Sequence, residues 1–222
     1  MSTVWPAIVL SLKLAGAATL LLLLIATPLA WWLATTKSRA RPLIEALTAL
    51  PLVLPPTVLG FYLLVLMSPQ APLGSLWLKI TGSTLAFSFA GLLIASVIYS
   101  LPFAVQPLQA AFQNVGRGVT EAAATLGAGR WDVFRSVVLP LSRRGYLIAA
   151  VMSFAHTLGE FGVVLMVGGN IPGRTRVISI EIFNAVETLD YATAHRLSAG
   201  LLVFSFAVLA IVYVLNRQGR AE

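Results

Sequence analysis

Five runs of mostly apolar residues, each about as long as a bilayer is thick, take up most of this 222-residue chain. A spanning helix needs about 20 such residues, with a usual range of about 17 to 25. Inside lipid, every backbone polar group must find its partner within the protein, which leaves helices as the solution for runs of this kind. The runs cover residues 7–34, 47–67, 84–112, 146–167 and 197–215. Only 10% of residues are charged, against about 25% in soluble domains. The chain therefore reads as an all-α, multi-pass integral protein of the cell (inner) membrane, with a single transmembrane domain over residues 1–222.

The runs differ in quality. The first ends at Trp31 and Trp32, just before Lys37, Arg39 and Arg41, an aromatic belt followed by a basic cluster that marks a cytoplasmic exit. The second holds Pro51, Pro55 and Pro56, so its first half is expected to be kinked and packed against protein. The turn-rich stretch 68–75 leads past Lys79 into the third run, which Pro102 and Pro107 are expected to interrupt. The fourth is read as one continuous helix carrying His156 and Glu160. Residues 177–190 are too short and too acidic to cross alone and read as an amphipathic helix on the outer side, giving five to six helices in all. No cleaved targeting segment is read at the N-terminus.

Charge orients the array. With the loop 116–143 inside, ten basic residues lie in the cytoplasm: Lys37, Arg39, Arg41, Arg117, Arg130, Arg135, Arg143, Arg144, Arg217 and Arg220. Outside fall only Lys79, Arg174, Arg176 and Arg196, so the N-terminus is expected outside and the C-terminus inside. The net charge of +7 follows this pattern rather than forming one basic face, which argues against nucleic acid as a partner. Cysteine is absent, excluding disulfides and thiolate metal sites.

The loop 116–143 has a helical pattern of its own. Val119 to Leu126 reads as a short helix with Gly127 as its stop, Glu121 in its first turn, and Ala122, Ala123 and Ala124 offering a face of little bulk. Arg130 to Leu139 places Trp131, Phe134 and Val138 on one stripe, with Pro140 as its end. Two short helices hinged at Gly127 and Gly129 form a docking element by shape.

The order Glu-Ala-Ala, three residues, Gly, nine residues, an aliphatic, one residue, Leu-Pro resembles the signature loop of the membrane subunits of ATP-binding-cassette importers. It stands here as Glu121, Ala122, Ala123, Gly127, Val137, Leu139 and Pro140, with valine where isoleucine is more usual. The resemblance implies a type I importer permease fold and a loop that enters a cleft on a cytoplasmic ATPase. Residues 50–64 and 156–175 further resemble the molybdate permease branch, whose nearest relatives carry sulfate. The implied partners are a second copy of the chain in a homodimer, two ATPase subunits and an extracytoplasmic oxyanion-binding protein. ATP would sit on the ATPases, with no cofactor on this chain.

Glu160 is the one acid deep in a run, and such a residue is expected to be functional. At spacing i, i+4 His156 and Glu160 can pair or share a proton. They can instead line a pore or gate beside Gly159 and Gly162, whose lack of side chains would let two subunits approach closely. Arg174 and Arg176 could attract an oxyanion or face the delivering protein. A secondary transporter using Glu160 and His156 as a proton relay would call for inverted repeats, and none is visible. For an intramembrane zinc enzyme, His156, Glu160 and His195 lack the His-Glu-x-x-His spacing. No GxxxxGK[ST] loop occurs, so ATP hydrolysis is assigned to another subunit.

Overall fold

A computed structural model describes the backbone of residues 4–218 and the side chains of residues 4–116 and 118–210. The described residues fold into helices α1 (Val4–Thr35), α2 (Arg41–Val53), α3 (Pro56–Met67), α4 (Pro72–Thr81), α5 (Phe89–Val115), α6 (Arg117–Thr125), α7 (Arg130–Val133), α8 (Leu139–Leu141), α9 (Arg143–Gly159), α10 (Gly162–Gly168), α11 (Ile178–Glu187) and α12 (Tyr191–Gln218). A π-helical turn, Phe134–Val138, joins α7 to α8. Three helices, within α1, α5 and α12, are long and apolar enough to cross a membrane, and the number rises to five if each of two bent helix pairs counts as one span. Arg217 lies where side chains are not described, and Arg220 lies outside the described residues.

α1, α5 and α9 form the centre, each packed on the other two. α1 buries a stripe of small residues that includes Ala15, Ala18, Ala26 and Ala30, and turns Leu20, Leu24 and Ile25 outward. In a bilayer, small residues at the contact let backbones approach, because lipid is as apolar as leucine and offers no reason to bury bulk. Three clusters fill the interior: an inner one beside α6–α8 around Leu22, Leu33, Leu108, Phe112 and Val138, an outer one around Leu63, Met67, Leu85 and Val167, and a third around Leu14, Leu92, Val164 and Ile180 that links α1, α5, α10 and α11. α11 is tied down by the Ser11 hydroxyl, which accepts from the Ile178 N–H at 2.8 Å while donating to the Ala7 carbonyl. One of the orphan donors at that helix start is thereby satisfied.

Several expectations are corrected. The second run is two helices, with a 106° turn between α2 and α3 rather than a kink. Leu54 and Pro55 each precede a proline and each takes an extended ψ of 135°, the conformation forced by the clash of the following ring with an α backbone. The fourth run is also broken: α9 stops at Gly159, Glu160 is extended, and α10 restarts at Gly162. Pro102 and Pro107 do not interrupt α5, which runs through both. Tight packing by α1 and α9 holds the helix where backbone hydrogen bonds are lost. The stretch after Met67 holds a helix, α4, with Pro72 in its first turn and Gly82 at φ 70° as its left-handed C-cap.

Within this chain Gly162 packs against the start of α3. A Cβ there would lie 2.6 Å from Cβ of Pro56, and one on Gly60 would lie 2.7 Å from Cβ of Met166. The glycines let α3 and α10 cross within the chain. Gly159 has open space around its Cβ position.

Candidate functional site

Two places carry the residues singled out by the sequence. The first is the helix pair α6 and α7. Gly116 (φ 77°) and Gly127 (φ 87°) bracket α6 in conformations that L residues rarely adopt. The Gly127 and Ala128 amides close the end of α6 on the carbonyls of Ala124 and Ala123. Glu121, Ala122 and Ala124 are exposed, and Leu126 is 89% exposed. Ala123 faces the other way and packs on the inner core. Three consecutive helical residues lie about 100° apart, so the three alanines do not share one face.

Beyond the hinge, the expected stripe is shifted. Val133 and Val138 are buried and Phe134 is partly buried, while Trp131 is 69% exposed. The buried side of α7 is centred on Val133, about 160° around the helix from Trp131, and the π turn that follows keeps Val138 buried as well. Pro140 lies in α8, directly after the π turn, inside a continuous helical path to Leu141 instead of ending it. At Ser142 the path then turns by 71° into α9. The anchor of this element is aromatic. Phe134 meets Trp31 at 5.6 Å and Phe112 at 6.1 Å between ring centroids, and Phe112 meets Tyr146 at 6.0 Å. One ring of α1, one of α5 and one of α9 therefore touch a common cluster with the π turn. Val137 is half-buried next to it, and Leu139 and Pro140 are exposed.

The second place is a cavity of about 570 Å³ where the two helix breaks meet. His156, Gly159, Glu160 and Gly162 all line it, together with Pro56, Thr57 and Tyr99. His156 and Glu160 form no hydrogen bond or ion pair with each other among the described residues. The helix ends between them, and His156 turns to α5: its Nδ1 is 2.9 Å from Ser100 Oγ and its ring stacks on Phe103 at 3.9 Å. Glu160 is 5% exposed and neither carboxyl oxygen completes a hydrogen bond. The Ser96 hydroxyl and the Val164 amide approach it without reaching hydrogen-bond geometry. Its main chain is fixed, with the Ser179 hydroxyl donating to the Glu160 carbonyl at 2.6 Å. Backbone that leaves helical geometry at membrane depth is tolerated where it is buried in protein or lines a cavity, and here two such breaks share one. Pro55–Pro56 announced the first break, but nothing in the local sequence paired it with Glu160.

Between α10 and α11, Arg176 is engaged rather than free: it donates to Asn170 Oδ1 at 2.6 Å and meets Glu181 at 3.4 Å. Arg174 is exposed. Among the described residues no three His, Asp or Glu side chains gather in a way that could hold a metal ion.

Comparison with known proteins matches this architecture. Over 211 residues the chain is 57% identical to the molybdenum transport system permease protein ModB of Azotobacter vinelandii, covering 95% of this chain and 93% of the relative. It is 38% identical to ModB of Escherichia coli K12 over 96% of this chain and 91% of that one. Its identity to the sulfate transport system permease protein CysT of the same strain is 35%, over 86% of this chain and 69% of that protein. Among solved structures, a bacterial ABC transporter that imports the acidic polysaccharide alginate superposes with a TM-score of 0.74 at 18% identity, covering all of this chain and 80% of that one. An amino acid ABC transporter superposes at 0.63 and 16% identity, over 96% and 92%. The family model for the binding-protein-dependent transport system inner membrane component matches residues 26–220, and the chain belongs to that family.

Proposed function

We propose that this chain is the membrane-spanning subunit of an ATP-driven importer that brings an oxyanion, molybdate first and then tungstate or sulfate, into the cytoplasm. It works as a homodimer with two cytoplasmic ATPase subunits and an extracytoplasmic binding protein, N-terminus outside and C-terminus inside, in the inner membrane. The observation that carries this is the exposed hinged pair α6–α7 with its aromatic anchor in the centre of the bundle. The family match supports the class and the ModB relatives support the substrate. A solved relative in complex with a substrate-bound periplasmic protein supports the binding-protein partner.

Closure of the ATPases would move α6, with Glu121 and the exposed alanines as the contact. The movement passes through Val133, Phe134 and Val138 to Trp31, Phe112 and Tyr146. From there it enters α9, but not as one rigid rod to Gly168, because α9 ends at the cavity. The break at Glu160 lets the inner half tilt while α3 and α10 hold the outer half. The cavity offers no Lys or Arg to trap a dianion, and passage requires binding weak enough to release.

The test is uptake by the chain reconstituted with its ATPase and binding protein. Molybdate uptake should need all three components and exceed sulfate uptake at equal concentration. Uptake that continues without the ATPase would sink the importer reading. A reporter fused after Glu222 that is active only outside the cytoplasm would reverse the orientation.

A further inference from the structure

The coupling element is flanked by two neighbouring cavities. One, of about 530 Å³, lies between the end of α1 and α6–α7, lined by Thr35, Thr36, Thr120, Ala124 and Arg130 among others. The second, of about 570 Å³, climbs the side of α1 along Leu23, Leu24 and Pro28 and is closed below by Trp131 and Phe134. Trp31 and Arg130 line both, so the two cavities adjoin at these side chains and make a cleft with a polar lower and an apolar upper compartment.

We infer that this cleft is a binding site for an anionic phospholipid of the inner leaflet, with its phosphate at Arg130 and an acyl chain along α1. The Arg130 guanidinium is exposed and meets no carboxylate among the described residues. The Thr36 hydroxyl accepts from the Ser38 N–H, leaving its own hydrogen for a phosphate oxygen. The upper compartment lies on the lipid-facing side of α1, where Leu24 is 71% exposed. Trp31 stands at the junction, the depth at which indole rings favour the headgroup level. A free oxyanion would use the lower compartment alone, whereas a two-compartment cleft with a cation at its junction matches an amphiphile with a negative head. The cytoplasmic leaflet supplies such lipids, and each basic residue near its surface gains about 1 kcal/mol from them. Because α7 forms one wall, an occupied cleft would hold it against α1 and so set how far α6 can move. The choice of leaflet rests on the orientation proposed above, and the binding itself does not.

Of the five tryptophans in the chain, Trp31 and Trp131 line the cleft and Trp32 lines its lower compartment. The full chain in phosphatidylcholine nanodiscs should therefore show stronger tryptophan quenching by acyl-brominated phosphatidylglycerol than by the same fraction of acyl-brominated phosphatidylcholine. Arg130→Gln should reduce the apparent preference for phosphatidylglycerol about five-fold, the size of one lost hydrogen bond to the phosphate. Arg130→Lys should retain most of it, and Arg39→Gln, outside the cleft, should leave it intact. Equal quenching by both lipids, or an equal loss in the Arg39 and Arg130 variants, would overturn the site. Abolition of the phosphatidylglycerol signal by millimolar inorganic phosphate or molybdate would also overturn it, in favour of a soluble anion. The readout uses neither ATPase nor uptake, so it stands or falls apart from the importer reading.

Discussion

At the scale of single residues, glycines 159 and 162 are three positions apart and do opposite things. A Cβ on Gly162 would meet Pro56 at 2.6 Å, and the atoms it meets belong to a ring at the start of α3 that has little room to retreat. Gly162→Ala should therefore cost about 1–3 kcal/mol through overpacking, read as a lower unfolding temperature in detergent. Gly159→Ala meets open space and should be neutral or stabilise by up to about 1 kcal/mol through the unfolded chain. Equal losses in both variants would show that the crossing of α3 and α10 is not what Gly162 serves. Glu160 gives a second contrast. Its carboxyl is buried and without a completed hydrogen bond, so an isosteric amide removes no partner from it. Glu160→Gln should keep the unfolding temperature, and a fall of more than about 3 °C, roughly 1 kcal/mol for a chain of this size, would mean that Glu160 is a structural cap for α10.

At the scale of elements, the hinge at Gly127 is the part most open to attack. Its φ of 87° lies far from the −65° of proline, and its N–H is bonded to the Ala124 carbonyl. Gly127→Pro should abolish uptake and substrate-stimulated ATPase activity in the assembled transporter while membrane insertion, followed by expression and protease protection, is unchanged. Normal uptake by this variant, or by Glu121→Lys, would show the loop to be a passive connector. Some turns of the chain were legible because their cause is local. Pro55 and Pro56 act on the residues just before them, Gly127 stops the helix just behind it, and Pro72 and Gly82 bracket α4, though the stretch they bracket read as loop. What could not be read has non-local causes. The break after Gly159 depends on Gly162 lodging against Pro56, more than a hundred positions earlier in the chain, and glycine alone is common within membrane helices. Pro140 suggests an end to any helix, but the π turn before it and the aromatic cluster of Trp31, Phe112 and Tyr146 carry the helix past it. The i, i+4 pairing of His156 and Glu160 failed for the same reason, since its premise was an unbroken helix.

At the scale of the whole molecule, the division of the interior decides how it can move. The inner cluster ties α1, α5 and α9 to α6–α8, the outer cluster ties α3 and α10 to the start of α5, and the third ties the start of α1 to α5, α10 and α11. Between them lie the two breaks and their shared cavity, so a tilt of the inner half changes the cavity first. Packed interiors switch between discrete arrangements rather than deforming smoothly, and a cavity bounded by two non-helical turns is the place where such a switch costs least packing. Because the natural chain has no cysteine, single cysteines report on it without background. Thr57→Cys and Gly159→Cys, both exposed on the cavity wall, should react with a small water-soluble thiol reagent from one side of the membrane in the nucleotide-free transporter. With ATP trapped on the ATPase subunits, they should react from the other side. Leu24→Cys, exposed on the outward side of the apolar α1, should react from neither. Reaction at Thr57 and Gly159 that ignores nucleotide would place the path elsewhere and leave the paired breaks as fixed architecture. A switch of sides at both positions, with Leu24 silent, would identify the junction of the broken helices as the point where access alternates.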